Sequence, residues 1–156
     1  MIQRIQTVCL FIVSGLFFAL LFLPLAFIPS GDIHYIFQVA GLETTDAGRL
    51  LYAAWPLLTI DIIIILLSLI SIFLYKRRIL QKRICVYNML LMIGFCLMIG
   101  FYFVKFNHDV NNGMSPDLTD LKIWAFFPLI ALGLIILAIR KISADEAMVR
   151  SLNRLR

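Results

Sequence analysis

Apolar residues fall in four long stretches separated by polar punctuation, at about Thr7 to Ile28, Leu50 to Tyr75, Ile84 to Val104 and Ile123 to Ile139. A helix rises about 1.5 Å per residue, so roughly 20 such residues match a hydrocarbon core of about 30 Å. Hydrocarbon offers no partner to backbone N–H and C=O groups, which leaves helices and closed barrels as spanning structures. The stretches lack the alternation of barrel strands and therefore predict helices. The second is the longest and is expected to tilt or to start late. Residues 1–156 thus read as one all-α membrane domain, a four-helix bundle in up-down-up-down order, followed by a tail over 140–156.

The segments between the spans carry weaker patterns. Ile33, Tyr35, Phe37 and Val39 alternate with His34, Ile36 and Gln38, a period of two that predicts a short strand before Gly41. Asn112-Gly113 and Ser115-Pro116 are turn signals in the segment before the fourth span. These two segments are expected to pair as a small cap over the bundle. Pro24 and Pro29 mark the end of the first span. That span exceeds the ~7–15 apolar residues of a secretory signal and is read as an uncleaved anchor. In the tail, Ser143-Ala144-Asp145-Glu146 has the form of a capping box, and Met148, Leu152 and Leu155 recur on one helical face beside Arg150, Arg154 and Arg156. It predicts a short amphipathic cytoplasmic helix, lying on the inner leaflet or docking a partner. A degenerate duplication is also visible. Arg4-Ile5, Gly15 and Phe22 align with Arg83-Ile84, Gly94 and Phe101, against chance matching among apolar residues.

Composition sharpens the class. Hydrophobic residues make up 62% of the chain and charged residues 15%, with a mean hydropathy of +0.98. A water-soluble domain has ~45–50% and ~25%, so a soluble globular fold is excluded. The net charge of +5 would point to nucleic acid in a soluble protein. Here the cations flank the spans: eleven of the fourteen Lys and Arg lie in the N-terminal segment, the connection Lys76, Arg77, Arg78, Lys82, Arg83, and the tail. Six of the nine acidic residues lie in the two opposite loops. The positive-inside rule then places both termini in the cytoplasm, and no nucleic-acid partner is expected. The same cations are candidates for anionic lipid headgroups or a partner surface, or serve as topology determinants only.

Asp61 is the one formally charged residue inside a predicted span, and burial of its charge in lipid is costly enough that it should face the bundle. Ala54, Asp61 and Ser68 recur at spacing seven with Ser71 beside them, which predicts the inward face. Pro56 is expected to bend the outer part of this helix. Two readings stand: a proton or cation site reached through that bend, or a protonated side chain bonded to a neighbouring helix, with Gly133 at similar depth able to admit it. Ser14, Thr59, Ser68, Ser71 and Asn88 complete the uncharged polar set and read as helix-packing groups. Cys9, Cys85 and Cys96 read as buried apolar thiols, since their odd number and position in the spans oppose a structural disulfide. Asp32, His34, His108 and Asp109 are of metal-ligand type but without ligand spacing, so no metal and no cofactor is expected. No nucleophile motif or phosphate-cradling loop occurs, and no enzymatic activity is expected.

The opening Met1-Ile2-Gln3-Arg4-Ile5-Gln6-Thr7-Val8, the Lys76-Arg77-Arg78 connection and the closing Asp145-Glu146, Val149-Arg150-Ser151 and Arg154-Leu155-Arg156 resemble a bacterial family of small four-helix membrane proteins, domain-of-unknown-function family 4293. Leu152-Asn153 stands where the family's closing pattern has Ala-Asp. The resemblance covers the whole chain. It implies the topology and the inner membrane of a Gram-negative cell, and it carries over no activity and no site residue. The expected function is that of a non-enzymatic accessory or scaffold protein, with a membrane-protein partner or a homo-oligomer. The alternative is a small proton-coupled transporter or ion pathway centred on Asp61.

Overall fold

The structure, a computed structural model, describes the backbone of all residues but 1, 31–32, 45–49, 75–76, 111–119 and 155–156, and the side chains of 7–28, 35–44, 51–74, 77, 79–106, 108–109 and 122–144. The chain is mostly helical. In order it forms α1 (Ile2–Leu20), strands β1 (Ala26–Ser30), β2 (Ile33–Gln38), β3 (Gly41–Thr44) and β4 (Leu50–Ala53), α2 (Trp55–Phe73), α3 (Arg78–Val110), β5 (Asp120–Leu121), a 3-10 turn at Ile123–Phe126, and α4 (Phe127–Arg154).

The helices pack in a ring, α1 on α2, α2 on α3, α3 on α4 and α4 on α1. Each contributes one buried stripe with steps of three and four. The stripes are Leu10, Val13, Phe17 and Leu20 in α1, Leu57, Asp61, Ile64, Ser68 and Ser71 in α2, Gln81, Cys85, Asn88, Met92 and Phe95 in α3, and Ala131, Ile135, Ala138 and Ile142 in α4. Such spacing keeps one seam of each helix turned to its neighbours over several turns. The opposite faces are also apolar: Phe11, Phe18, Leu66, Phe73, Leu97 and Leu129 are all exposed. A surface of this kind calls for an apolar surrounding. Among the described residues, three helices are long and apolar enough to cross a membrane: α2, α3 over Ile79–Phe106, and α4 with its preceding turn over Ile123–Ala144.

The chain is not all-α. The segments at one end of the bundle form a five-stranded antiparallel sheet in the order β4-β3-β2-β1-β5. The expected strand over Ile33 to Val39 is β2, and the segment before α4 joins the cap by pairing of Leu121 with Ala26 and of Asp120 with Phe27, residues of the expected first span rather than of the segment after it. Backbone bonds outside the strands extend the cap, from Leu25 N–H to the Phe37 carbonyl (2.7 Å) and from Ala54 N–H to the Ala40 carbonyl (3.0 Å). Across the sheet Ala26 pairs with Phe37, Phe37 with Leu42, and Leu42 with Tyr52. Paired residues share a face. Phe37 and Leu42 are buried, and Phe106 of α3 meets Phe37 (5.4 Å between ring centres), Tyr52 (5.8 Å) and Tyr102 (5.4 Å). The far end of α3 is thus a pillar under the sheet.

Three expected boundaries move, the first two because of the sheet. The first apolar stretch ends its helix at Leu20, because Pro24 cannot join the ladder of helical bonds and the chain turns into β1. Leu50–Ala53 is strand β4, so α2 starts at Trp55 with Pro56 in its first turn, where the missing N–H has no helical partner to lose. The expected bend at Pro56 is therefore a helix start. The Lys76 to Arg83 connection is shorter than expected, since α3 begins at Arg78 and Arg-Ile-Leu-Gln-Lys-Arg are good helix formers. The fourth correction is the tail. α4 runs without a break through Arg154, so Ser143-Ala144-Asp145-Glu146 lies inside a helix and caps nothing. No Gly or Pro separates Ile142 from Arg150, and the separate amphipathic helix does not form.

Candidate functional site

Among the described residues, the seam between α2 and α3 holds most of the buried polar side chains. Asn88 Nδ2 donates to Ser68 Oγ at 2.8 Å, and Ser71 Oγ and Cys85 Sγ share a hydrogen bond at 3.1 Å. The numbers rise on one helix as they fall on the other, so α2 and α3 run antiparallel along this seam. Gln81, 3% exposed, continues the stripe one turn further. Asp61 lies seven residues from Ser68, about 10 Å along the helix towards the sheet. The same register brings it level with Phe95, whose ring packs on Phe17 at 5.4 Å. Asp61 is fully buried, and neither carboxylate oxygen has a hydrogen-bond partner among the described residues. Asn88 Oδ1 is likewise without one.

The inward stripe Ala54, Asp61, Ser68 and Ser71 stands as expected, each residue buried. The Gly133 expectation does not. Gly133 lies on the exposed face of α4, while Ala131 and Ile135 turn inward, so it cannot admit the carboxyl of Asp61. Two other polar groups turn back on their own helix, Ser14 Oγ to the Phe11 carbonyl (2.8 Å) and Thr59 Oγ1 to the Pro56 carbonyl (3.0 Å). These are local bonds rather than links between helices. Of the thiols, Cys85 alone is buried; Cys9 and Cys96 are half-buried, and all three are free.

At the opposite end from the sheet, cations gather at the α2–α3 tip. Arg77 and Arg83 are exposed and Lys82 is half-buried. Two grooves flank the tip. One, of about 460 Å³, is lined by Ile79, Lys82, Arg83, Val86 and Tyr87, and the other, of about 310 Å³, by Phe73, Leu74, Arg77 and Leu80. Asp61 lines neither. Lys76 and the side chains of Arg78, Arg150, Arg154 and Arg156 lie outside the described residues, as do Asp32, the His34 side chain, and the turns at Asn112-Gly113 and Ser115-Pro116. His108 Nδ1 stands 3.8 Å from Asp109 Oδ1, with the imidazole exposed.

Sequence reasoning missed Gln81, Tyr87 and Phe106. Gln81 was legible in principle, four residues before Cys85 and seven before Asn88 on the same stripe. Tyr87 and Phe106 acquire their surroundings only through the groove and the sheet.

The architecture is that of a small helical bundle with three helices long and apolar enough to cross a membrane, closed at one end by a sheet. A family described as a domain of unknown function (DUF4293) matches residues 2–155, and the chain belongs to it. No curated protein and no solved structure matches it.

Proposed function

We propose that the chain is a multi-pass protein of a bacterial inner membrane, with four helices crossing up-down-up-down and both termini cytoplasmic, and that it acts as a non-enzymatic accessory or scaffold. The observation that carries the scaffold reading is the unbroken α4. Residues 145–154 add about 15 Å of helix beyond the apolar span, in line with it. A helix lying in the interface needs a turn where it leaves the span, whereas a continuous rod carries the backbone over 145–154 away from the lipid, which favours docking of the basic tail on a partner. The charge asymmetry supports the orientation, since the tip and the tail carry most of the cations.

The reading is tested by changing Arg150, Arg154 and Arg156 together to Glu and repeating purification in gentle detergent. Loss of a co-purifying membrane protein or of a stable oligomer, at unchanged abundance, is expected. Retention of the same assembly would overturn docking through the tail. Reporter fusions after Arg83 and Arg156 should report cytoplasm and those near Glu43 and Met114 the outside. An external Arg156 would overturn the four-span topology.

One observation favours a second reading, a proton or ion pathway through Asp61: its two carboxylate oxygens are buried with no partner among the described residues. Proteoliposomes bearing a pH gradient test it. Proton flux abolished by Asp61→Asn supports a pathway, and an absence of flux in the unchanged protein overturns it.

A further inference from the structure

We infer that the α2–α3 tip is a binding site for an anionic phospholipid, with the phosphate held at Arg83 and Lys82 and an acyl chain running along α3; this rests on the membrane reading above. The five residues lining the larger groove, Ile79, Lys82, Arg83, Val86 and Tyr87, occupy steps of three and four along the first turns of α3 and so share one face. Polarity changes along that face. The two cations come early, the phenol of Tyr87 follows one turn later, and beyond it the exposed side chains of Leu90 and Leu97 continue the stripe. From Arg83 to Leu97 is about 21 Å of helix, longer than one leaflet's share of a ~30 Å hydrocarbon core.

A soluble anion would use the cations and leave the apolar continuation idle. A ligand that satisfies both is an amphiphile with a negative head, and Tyr87 stands at the join, where an aromatic ring with a polar tip is best placed. A zwitterionic head brings its own cation up against Arg83 and Lys82, so the groove selects lipids of net negative charge. The smaller groove repeats the design with one guanidinium, Arg77, against Phe73, Leu74 and Leu80. At about 460 Å³ the larger groove is within the ~300–1,000 Å³ of small-molecule sites, which suits a phosphoglycerol head.

The test is native mass spectrometry of the full chain in detergent, titrated with phosphatidylglycerol or phosphatidylcholine. Phosphatidylglycerol should bind at least about five-fold more tightly, and Arg83→Gln should weaken it about five-fold while Arg83→Lys retains most of the affinity. Arg140→Gln removes one exposed cation from α4 outside both grooves and should leave binding unchanged. Equal weakening by Arg83→Gln and Arg140→Gln would overturn the site in favour of diffuse surface charge. Displacement of bound lipid by millimolar glycerol phosphate would overturn the lipid as occupant in favour of a soluble phosphate. Alkaline washing of membranes separates the two levels of the reading. Release of the chain would overturn membrane insertion itself, whereas a retained chain without lipid selectivity would overturn the groove alone.

Discussion

The two ends of the bundle are held by different chemistry. At the sheet end, Phe37, Tyr52, Tyr102 and Phe106 form one aromatic cluster, and Lys122 Nζ lies 4.8 Å over the ring of Phe27. At the tip end, Ser68, Ser71, Asn88 and Cys85 cross the α2–α3 seam by hydrogen bonds, with Gln81 beyond them. Asp61 lies between the two regimes and belongs to neither. The difference shows how a small bundle divides its work. Area burial fixes the cap, where strands must be gathered from two distant segments, and directional bonds fix register between two helices already close in sequence. Non-directional packing tolerates sliding and gains from bulk; a hydrogen bond contributes less but specifies one alignment.

Truncating the pillar should have the largest effect. Phe106→Ala removes a buried ring that touches three others and should cost about 3–5 kcal/mol, read as a lower unfolding midpoint in detergent, with exchange of strand amides rising before that of the α2–α3 tip. Equal loosening of both ends would erase the distinction between them. Next is Gly41, whose φ of +150° and close approach to β4 leave no room for a side chain: a Cβ there would lie 2.1 Å from the Tyr52 carbonyl oxygen. Gly41→Ala should cost at least about 2 kcal/mol and separate β3 from β4, with the tip unaffected. Unchanged protection of β4 amides would show that the strand is held from elsewhere.

The tip end should respond more weakly. A double-mutant cycle on Ser68→Ala and Asn88→Ala should give a coupling of about 0.6 kcal/mol, and no more than about 1.7, since interhelical bonds in membranes are worth little more. A coupling near zero would move register specification to the apolar stripe. The smallest effect belongs to Ser71→Ala, below about 0.5 kcal/mol, because a thiol is a weak partner. What this variant should change is the reactivity of the Cys85 thiol towards a membrane-permeant maleimide, so an unchanged rate would place the thiol's protection in its apolar surroundings.

Much of this architecture was legible along the chain. The steps of three and four through Leu57, Asp61, Ile64, Ser68 and Ser71 mark the buried face of α2 without coordinates, and the alternation over Ile33 to Val39 marks β2. Less legible were the boundaries at Ala26–Ser30 and Leu50–Ala53. Their apolar residues read as continuations of a span because hydropathy reports only that a side chain avoids water, and an apolar sheet face satisfies that as well as lipid does. The capping-box pattern at Ser143 misled for a related reason. It starts a new helix only where the preceding chain has left helical geometry, and nothing before Ser143 forces that departure.

Taken alone, the sequence determined the apolar character of the helices, the inward stripe of α2 and the separation of cations from acids along the chain, because each depends on residue type at fixed spacing along one element. Tertiary structure decided where helices give way to strands, that α4 continues as a rod, that Gly133 turns away from Asp61, and that Phe106 carries the sheet. These depend on which surfaces meet, and the energy of a contact belongs to both partners. A single segment records only its own half.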